Sequence, residues 1–463
     1  MITSPTWRGK RYAVLGLARS GQATVRALLA AGAHVQAWDS DEEKRAPFLP
    51  GTGRGTMRSM VEGQPSSASP ANAPPPQADA GGPPPPSGEV EIASLDDLTG
   101  FDALVVSPGV PLNTHPIAAA ARAAGVPIIG DIELFAEARA SLPPHKVVGI
   151  TGTNGKSTTT ALVHHILRTA GVPSLMGGNI GLPILAQEPL PDGGVYVLEL
   201  SSYQIDLTRS LDCDVAVLLN ITPDHLDRYE GFGAYAASKA RLFEMQSDGH
   251  FAVIGIDDEQ TQRISFDVRG RGVTNVFEVS LADYNGVASG PALAGPHNAQ
   301  NVACARIVAA ALDVPISDSL ETFTGLPHRM QRVATVDGVA YVNDSKATNP
   351  ESAAPALGAF PRIHWIVGGR AKGDDLDACA PYFGNVAAAY TIGEAGPRFF
   401  DVLKGRVPVV EHAGTLAIAV AHAAAAAKAG DTVLLSPACA SFDQFRDYEE
   451  RGAAFQACVE KLA

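Results

Sequence analysis

Cysteine is scarce in this 463-residue chain, and its five cysteines include no C-x-x-C pair. This pattern excludes a disulfide framework and a cysteine-based zinc site, and it is typical of a reducing compartment. Basic residues are also few, with 35 Lys and Arg against 49 Asp and Glu. The resulting formal charge of −14 argues against a general nucleic-acid binder, although a local basic pocket for an anionic small molecule is compatible with it.

Long apolar runs are absent as well. No run reaches the ~18 residues that a membrane-spanning helix needs. The first residues have too short an apolar stretch, and no small-residue cleavage site, for an export signal. We therefore expect a cytoplasmic protein that works away from membranes and nucleic acid. Separately, we expect a monomer. A length of 463 residues with 46% hydrophobic residues suffices for about three domains.

Strand-like and helix-like stretches alternate along most of the chain, which predicts parallel α/β domains. The first example is a strand over 11–17, a helix over 21–32 and a strand over 34–39. One segment, from about 51 to 88, is instead rich in Pro, Gly, Ser and Ala. It cannot bury enough surface to offset chain entropy, so we predict a disordered surface insertion. A proline-dependent docking site for a partner is the alternative.

The run HKVVGITGTNGKSTTTALVHHIL (145–167) places a Gly-rich turn between a β-rich stretch and an apolar-periodic helix. Such a turn directs backbone N–H groups, a helix N-terminus and Lys156 at one point, which suits a polyphosphate. Ser157 follows the lysine and can reach a Mg²⁺ ion held on the phosphate oxygens. The spacing departs from the usual G-x-x-x-x-G-K-[ST], and a helix-capping turn is the alternative. The chain is therefore predicted to bind ATP through Gly152, Thr153, Asn154, Gly155, Lys156, Ser157 and Thr158.

A second nucleotide-type turn, GLARSG (16–21), lies near the start of the chain, and Asp39 ends the next strand. It resembles a dinucleotide fingerprint with Ala18 in place of the middle glycine, which by itself is a weak indication. The turn can offer N–H groups to a diphosphate, while Asp39 could accept hydrogen bonds from a sugar hydroxyl. A further turn at 107–109 follows a buried strand. An NAD-dependent enzyme is the alternative, but it would leave the ATP-type loop without a role.

Polar residues at the ends of apolar stretches complete the candidate site. Asn179, in the loop 177–183, could hydrogen-bond a polar substrate. Glu199 ends a buried strand, so desolvation penalises its charge unless it meets Mg²⁺ or a structural Lys or Arg. His225 follows another apolar strand, where a metal or substrate role competes with a structural one. Lys239 lies in a predicted helix and would by default be solvated.

Taken together, these residues resemble the Mur ligase family, the ATP-dependent amide-forming enzymes of peptidoglycan assembly. The segments that carry the resemblance are GITGTNGKST (149–158), Glu199, His225, Lys239, AGPHNAQNVACA (294–305) and NDSKATNP (343–350). Four more point to D-glutamate as the amino acid added: GDIELF (130–135), LELSSYQ (198–204), TGLPHR (324–329) and SPACASFDQFRDYEERG (436–452). The resemblance covers nearly the whole chain apart from the Pro-rich segment.

The resemblance implies three α/β domains. A Rossmann-like domain over 1–130 would bind the UDP-sugar, a central P-loop ATPase-type parallel sheet over 131–326 would bind ATP, and a Rossmann-like domain over 327–463 would bind the amino acid. The residues implied for the UDP-sugar are Gly16, Ala18, Arg19, Ser20, Asp39, Ser40, Ser107, Gly109 and Asn179. The further residues implied for ATP are Asn298 and Asn301, as contacts to the adenine, and Asp344 and Lys346. Those implied for D-glutamate are Thr348, Lys372, Ser441, Phe442 and Tyr448.

The implied reaction joins D-glutamate to UDP-N-acetylmuramoyl-L-alanine through an acyl phosphate, with release of ADP and phosphate. Catalysis would depend on Lys156, His225 and Lys239. Two Mg²⁺ ions are implied, the first held by Ser157 and Glu199, the second by His225 and by Lys239 after carbamylation by CO₂. The alternatives are a folylpolyglutamate-synthase-like or other Mur-type amino-acid ligase, and an ATP-driven regulator or scaffold that forms no bond.

Overall fold

The structure is a computed structural model, and it describes residues 1–48, 90–224, 228–273, 275–284, 291–293, 296–371 and 375–462. The predicted insertion at 51–88 lies outside these ranges, as do His225 and Lys372. The described residues form two compact units. The first comes from 1–156, 170–280 and 307–314, the second from 157–169, 281–306 and 315–463. No helix in the described ranges is long and apolar enough to cross a bilayer.

A five-stranded parallel sheet opens the first unit, with the order β3-β2-β1-β4-β5. Its strands are β1 (Arg11–Leu15), β2 (His34–Trp38), β3 (Val90–Ile92), β4 (Ala103–Val106) and β5 (Ile128–Ile129). Its helices are α1 (Arg19–Ala30), α2 (Glu42–Arg45), α3 (Ile117–Ala124) and α4 (Asp131–Ala138). The strand order reverses between β1 and β4, and ligands bind at such a switch point. The Rossmann-like prediction is confirmed; α1 begins two residues before the predicted helix.

The second sheet of this unit has six parallel strands in the order β11-β10-β9-β6-β8-β7. They are β6 (His145–Thr151), β7 (Ser174–Gly178), β8 (Gly194–Glu199), β9 (Val215–Leu218), β10 (Phe251–Gly255) and β11 (Val276–Val279). The helices of this stretch are α5 (Lys156–Thr169), α6 (Ser202–Asp206), α7 (Phe232–Glu244) and α8 (Glu259–Gly270). Every residue of β8 and β9 is buried, which explains their nearly unbroken apolar sequence.

The second unit contains a six-stranded sheet in the order β12-β13-β17-β14-β15-β16. Its strands are β12 (Gln331–Val336), β13 (Val339–Asn343), β14 (Ile363–Gly368), β15 (Val386–Ile392), β16 (Val410–Gly414) and β17 (Thr432–Leu435). Only the β12–β13 pair is antiparallel. The remaining helices are α9 (Pro296–Ala311), α10 (Ser319–Thr322), α11 (Pro350–Gly358), α12 (Gly396–Leu403), α13 (Leu416–Ala426) and α14 (Tyr448–Glu460).

The strand β14 shows how this third sheet is covered on both faces. Trp365 and Val367 pack into one apolar core, while Ile366 packs into another. Successive side chains of a strand point to opposite faces, so the sheet is buried between two layers. This is the arrangement predicted for a parallel α/β domain.

Candidate functional site

A cavity of about 860 Å³ opens at the carboxyl ends of β1 and β4. We call it the amino-terminal cavity. All nine residues predicted to bind a UDP-sugar lie in its lining, including the distant Asn179 from the loop after β7. The lining also contains five polar residues that the sequence did not single out for this role: Lys44, Ser94, Asp96, His115 and Gln204. The structure thus brings together every residue of that prediction, from turns far apart in sequence.

The turn at 16–21 depends on two glycines. Gly16 has φ +90°, and Ser107 Oγ donates a 2.8 Å hydrogen bond to its carbonyl oxygen. A Cβ atom on Gly21 would lie 1.8 Å from that same oxygen, which no side chain can tolerate. Ala18 is extended and supplies no side-chain cap to α1, so alanine suffices there. A helix N-terminus of this kind suits an anion.

Asp39 has a more local role than the sequence suggested. Its Oδ2 accepts a 2.7 Å hydrogen bond from the backbone N–H of Leu17, and its Oδ1 accepts one of 2.9 Å from Asp41. The buried carboxylate therefore fixes the turn at 16–21 directly. Each carboxylate oxygen of Asp39 can accept a second hydrogen bond, so these two bonds are compatible with contact to a sugar hydroxyl. That contact stays a prediction.

Behind this turn lies a buried acid, Asp131, the first residue of α4. Both of its carboxylate oxygens are buried and have no hydrogen-bond partner among the described residues. It lines a small cavity with Ser20, Thr24 and Ser107. Burial raises the pKa of Asp131 to about 6, against a smaller opposing effect of the N–H groups at the start of α4.

Asp131 should make the stability of the first unit fall as the pH rises. The unfolded carboxyl ionises near pH 4, whereas the folded one holds its proton to about pH 6, so stability is lost between these values. A pKa raised from near 4 to about 6 changes the free energy of unfolding by about 3 kcal/mol at most across this pH range. We expect Asp131→Asn to flatten the fall in unfolding temperature between pH 4 and 6. Parallel curves for the parent and the variant would contradict this.

The ATP-type loop lies between β6, which ends at Thr151, and α5, which begins at Lys156. Gly152 and Gly155 have φ of +148° and +85°, conformations that favour glycine. Lys156 folds back over the loop, and its Nζ donates to the carbonyl oxygens of Gly152, at 2.9 Å, and Thr153, at 2.8 Å. Strand, turn and helix follow in the predicted order, with the ammonium group held at the mouth of the turn.

Residues after β9 hold this loop in place, and the sequence did not reveal them. Asn220 Oδ1 accepts a 2.9 Å hydrogen bond from Asn154 N, and Asn220 Nδ2 donates to Asn154 O at 3.2 Å. Thr153 Oγ1 accepts from Thr222 N at 3.0 Å, and lies 3.1 Å from the hydroxyl of Tyr235. Residues 220–222, which lie shortly before His225 in the sequence, therefore shape the turn.

Lys239, read by default as a solvated helical lysine, is 1% exposed, so that default was wrong. Its Nζ donates a 2.8 Å hydrogen bond to Gly152 O, the oxygen that Lys156 also contacts. The ammonium lies 4.7 Å from the centre of the Tyr235 ring. Burial, and then the charge of Lys156, lower the pKa of Lys239 well below its usual value, against weaker effects of Asp224 and Asp206.

Glu199, the last residue of β8, is 2% exposed. Asn179 Nδ2 donates a 3.1 Å hydrogen bond to Glu199 Oε1. Since Asn179 also lines the amino-terminal cavity, this bond joins the cavity to the carboxyl end of the second sheet. A buried carboxylate at that edge is suited to a divalent cation.

In the second unit, the two asparagines predicted to contact adenine lie one turn apart on α9. Asn301 Nδ2 donates a 3.0 Å hydrogen bond to Asn298 Oδ1, and Thr159 Oγ1 donates to Asn301 Oδ1 at 3.1 Å. Both asparagines are buried. The structure brings this predicted pair together; contact with adenine stays a prediction.

The loops of the third sheet carry the residues predicted for D-glutamate. Thr348 follows β13 and is half-buried, Ser441 is buried, Phe442 is 63% exposed, and Tyr448 begins α14. Lys346 Nζ lies 5.3 Å from the centre of the Tyr448 ring.

Asp344, at the end of β13, is a second buried acid. It accepts hydrogen bonds from Ser436 Oγ at 2.8 Å and from Met330 N at 3.2 Å. Burial raises the pKa of Asp344 to about 7 despite these bonds. Its predicted contact with ATP stays a prediction.

Arg451 was not recognised in the sequence as a residue of this region. The guanidinium is 1% exposed and donates to Ser345 O at 2.8 Å and to Cys439 O at 2.9 Å. It therefore fastens the loop after β13 to the loop after β17. Only its place within the stretch 436–452 could have indicated this.

Three α/β sheets, a diphosphate-type turn beside a large cavity and an ATP-type loop with two convergent lysines define a nucleotide-binding α/β protein. The family model described as the Mur ligase middle domain matches residues 150–289, and the one described as the Mur ligase glutamate ligase domain matches 328–439. The chain belongs to the Mur ligase family.

Curated relatives extend this match to the full length. The UDP-N-acetylmuramoylalanine–D-glutamate ligase of Novosphingobium aromaticivorans is 58% identical over 100% of this chain and 97% of its own. That of Sphingopyxis alaskensis is 57% identical over 100% of both. Among solved structures, UDP-N-acetylmuramate–alanine ligase of Thermotoga maritima has a TM-score of 0.57 at 15% identity, over 98% of this chain and 100% of its own. That likeness supports the fold.

Proposed function

We propose that this protein is an ATP-dependent ligase that adds D-glutamate to UDP-N-acetylmuramoyl-L-alanine and releases ADP and phosphate. The observation that carries the proposal is the meeting of two lysine side-chain nitrogens, those of Lys156 and Lys239, at Gly152 O. Burial and the charge of Lys156 disfavour the ammonium form of Lys239, which leaves Lys156 as the cation suited to a polyphosphate beside the loop. The amino-terminal cavity, joined to the same sheet edge through Asn179 and Glu199, suits the UDP-linked acceptor.

The chemistry requires an activated carboxyl group, because a carboxylate does not condense with an amine in water. An oxygen of the lactoyl-alanine carboxylate attacks the γ-phosphorus of ATP, the bond to the β–γ bridging oxygen breaks, and ADP leaves. The amine of D-glutamate then attacks the acyl carbon. The carbon–oxygen bond to phosphate breaks, phosphate leaves, and the new amide nitrogen loses a proton.

Lys156 and the N–H groups of residues 152–158 stabilise the charge that gathers on the phosphoryl oxygens during these steps. The loop is already shaped for this, because Asn220 and Thr222 fix it through hydrogen bonds of 2.9 and 3.0 Å. Asn298 and Asn301 would contact the adenine, and Asp344 and Lys346 would make further contacts to ATP.

Mg²⁺ fits the donor set, since Glu199 is a buried carboxylate at the carboxyl end of a strand. We assign a first ion to Ser157 and Glu199 and a second to His225 and a carbamylated Lys239. Bound there, the ions would neutralise the phosphate oxygens during transfer. Lys239 is fitted for carbamylation because its amine is buried beside a second cation, which disfavours the ammonium form.

D-glutamate is assigned to the third sheet, whose two loops Arg451 holds together. The residues assigned to it are Thr348, Lys372, Ser441, Phe442 and Tyr448. Lys372 would pair with a carboxylate of the amino acid. The domains 1–130, 131–326 and 327–463 would then bind the UDP-sugar, ATP and D-glutamate respectively. We place the reaction in the cytoplasm, where ATP is supplied, and assign it to a monomer.

The decisive experiment measures phosphate release and amide product with ATP, Mg²⁺ and UDP-N-acetylmuramoyl-L-alanine against a panel of amino acids. We expect turnover with D-glutamate and a rate lower by about tenfold or more with L-glutamate, L-alanine, D-glutamine and diaminopimelate, since a neutral or misplaced carboxylate loses an ion pair. Reactions lacking either co-substrate serve as controls.

Failure to consume ATP when both co-substrates are present would refute the proposal. A preference for another amino acid would indicate a different Mur-type ligase. Turnover on a folate in place of the UDP-sugar would favour a folylpolyglutamate-synthase-like enzyme, an alternative that does not account for the nine polar and turn residues around the amino-terminal cavity.

A further inference from the structure

Arg228 spans from the loop after β9 to the rim of the amino-terminal cavity. Its Nη2 donates a 2.9 Å hydrogen bond to Val110 O and a longer one, of 3.4 Å, to Pro108 O. Its Nη1 lies 3.5 Å from Gly109 O. One guanidinium therefore contacts three successive carbonyl oxygens of the turn after β4.

The ring of Tyr203 covers one face of the Arg228 guanidinium. The central carbon of the guanidinium lies 4.4 Å from the centre of that ring. That ring is stacked on Tyr229, with centroids 6.0 Å apart and planes 14° apart. The hydroxyl of Tyr229 in turn donates a 2.8 Å hydrogen bond to Asp206 Oδ2. One face of the Arg228 guanidinium and its two terminal nitrogens are thus in specific contacts, which a solvated arginine does not require.

The turn that Arg228 holds is part of the cavity for the acceptor. Residues 107–111 line the cavity, and Ser107 Oγ donates a hydrogen bond to Gly16 O in the turn at 16–21. A Cβ atom on Gly16 would lie 3.5 Å from Val110 Cγ2, so the two turns pack directly. Movement of the turn after β4 would therefore displace the turn at 16–21 as well.

The aromatic rings beside Arg228 also lead to the ATP-type loop. The centre of the Tyr229 ring lies 5.5 Å from that of the Tyr235 ring, and the hydroxyl of Tyr235 lies 3.1 Å from Thr153 Oγ1 in that loop. A continuous path of side-chain contacts therefore leads from the turn at 16–21 through the turn after β4 and Arg228 to the phosphate loop.

We propose that Arg228 is a positioning residue that fixes the distance between the acceptor carboxyl group and the γ-phosphate of ATP. This inference rests on the proposed function and adds to it a residue that touches neither substrate. In-line attack requires the reacting atoms to be held about 3–3.5 Å apart, and a displacement of about 1 Å can cost about 100-fold in rate. Loss of Arg228 should therefore lower kcat more than it weakens binding of either substrate.

The test compares Arg228→Met with Arg241→Met. Methionine keeps an apolar side chain at this position but removes the guanidinium, and with it the three hydrogen bonds to the turn after β4. Arg241 is the matched control, since it donates to two carbonyl oxygens in the same region, Asp206 O at 3.2 Å and Thr208 O at 3.0 Å, without reaching the cavity turn. The readouts are kcat and KM for phosphate release, the Kd values of the UDP-sugar and of a non-hydrolysable ATP analogue, and the unfolding temperature.

We expect Arg228→Met to lower kcat by about 100-fold with both Kd values within about threefold of the parent. Arg241→Met should lower the unfolding temperature by a similar amount and leave kcat unchanged. Arg228→Lys keeps the charge without the planar fork, and should recover only part of kcat.

Parental kcat in Arg228→Met, an equal loss in Arg241→Met, or full recovery in Arg228→Lys would each overturn the inference. So would a loss in Arg228→Met confined to the Kd of the UDP-sugar. The parent protein separates this outcome from failure of the proposed function: if the parent releases no phosphate with D-glutamate, the function is wrong, whereas an active parent with an equally active Arg228→Met refutes the positioning role alone.

Discussion

Lys156→Ala is expected to reduce phosphate release in the presence of D-glutamate and UDP-N-acetylmuramoyl-L-alanine by about 10³-fold or more. The lysine ammonium is held at the mouth of the loop by Gly152 O and Thr153 O, at 2.9 and 2.8 Å. There it can stabilise charge that develops on the transferring phosphoryl group, and removal of one such donor typically costs about 10²–10³-fold in rate. A full charge should cost at least as much.

The measurement is a coupled phosphate assay, with calorimetric titration of the UDP-sugar on the same sample. UDP-sugar affinity should stay within about threefold of the parent, because the amino-terminal cavity contains no part of the loop 152–158. Lys146→Ala is the control, since Lys146 is an exposed lysine on β6. Near-parental turnover in Lys156→Ala would show that the loop does not bind the reacting phosphates.

Lys239→Met is expected to cause the other large loss, of about 10²-fold or more in kcat, because it removes the amine on which a carbamate could form. Methionine approximates the length of the lysine stem, so the buried position on α7 stays filled. In the parent, activity should fall in buffer stripped of CO₂ and return when bicarbonate is added. A carbamate carbon resonance should appear with ¹³C-labelled bicarbonate and be missing in the variant.

Lys146→Met serves as the matched lysine control, because Lys146 is exposed and lies near the other end of β6 from Gly152. This variant should retain both the carbamate resonance and the rate. An unfolding temperature measured for each variant separates loss of chemistry from loss of the fold. Full parental activity without CO₂, together with no carbamate resonance, would exclude the modification and leave Lys239 as an unmodified buried amine beside the loop.

Local pattern was enough to find the turns. Gly16 and Gly155 were recognised because a strand-like stretch, a turn with glycine and a helix-like stretch follow one another within a few residues, and both glycines have positive φ in the structure. Glu199 was noticed because a single charge ends a fully buried strand. In each case the physical constraint acts within about ten residues of the chain, so it can be recognised in the sequence.

Long-range contacts left no such mark. Lys239 was predicted by default to be solvated, because its helix neighbours gave no sign that the carbonyl oxygen of Gly152, 87 residues away, would accept a hydrogen bond from its Nζ. Arg228 contacts carbonyl oxygens 118 to 120 residues distant, and backbone carbonyls are the same whatever the side chain. Arg451 is likewise held by the carbonyls of Ser345 and Cys439.

The amino-acid sequence by itself determined the α/β class, the two nucleotide turns and the family, because periodicity, glycine placement and short motifs are local properties of the chain. The tertiary structure alone decided which side chains converge: two lysines on one carbonyl oxygen, Asn179 on Glu199, and Arg228 between the two turns. The reason is physical. Burial and the distance between charges depend on how the strands pair, and strand pairing joins residues that the sequence keeps far apart.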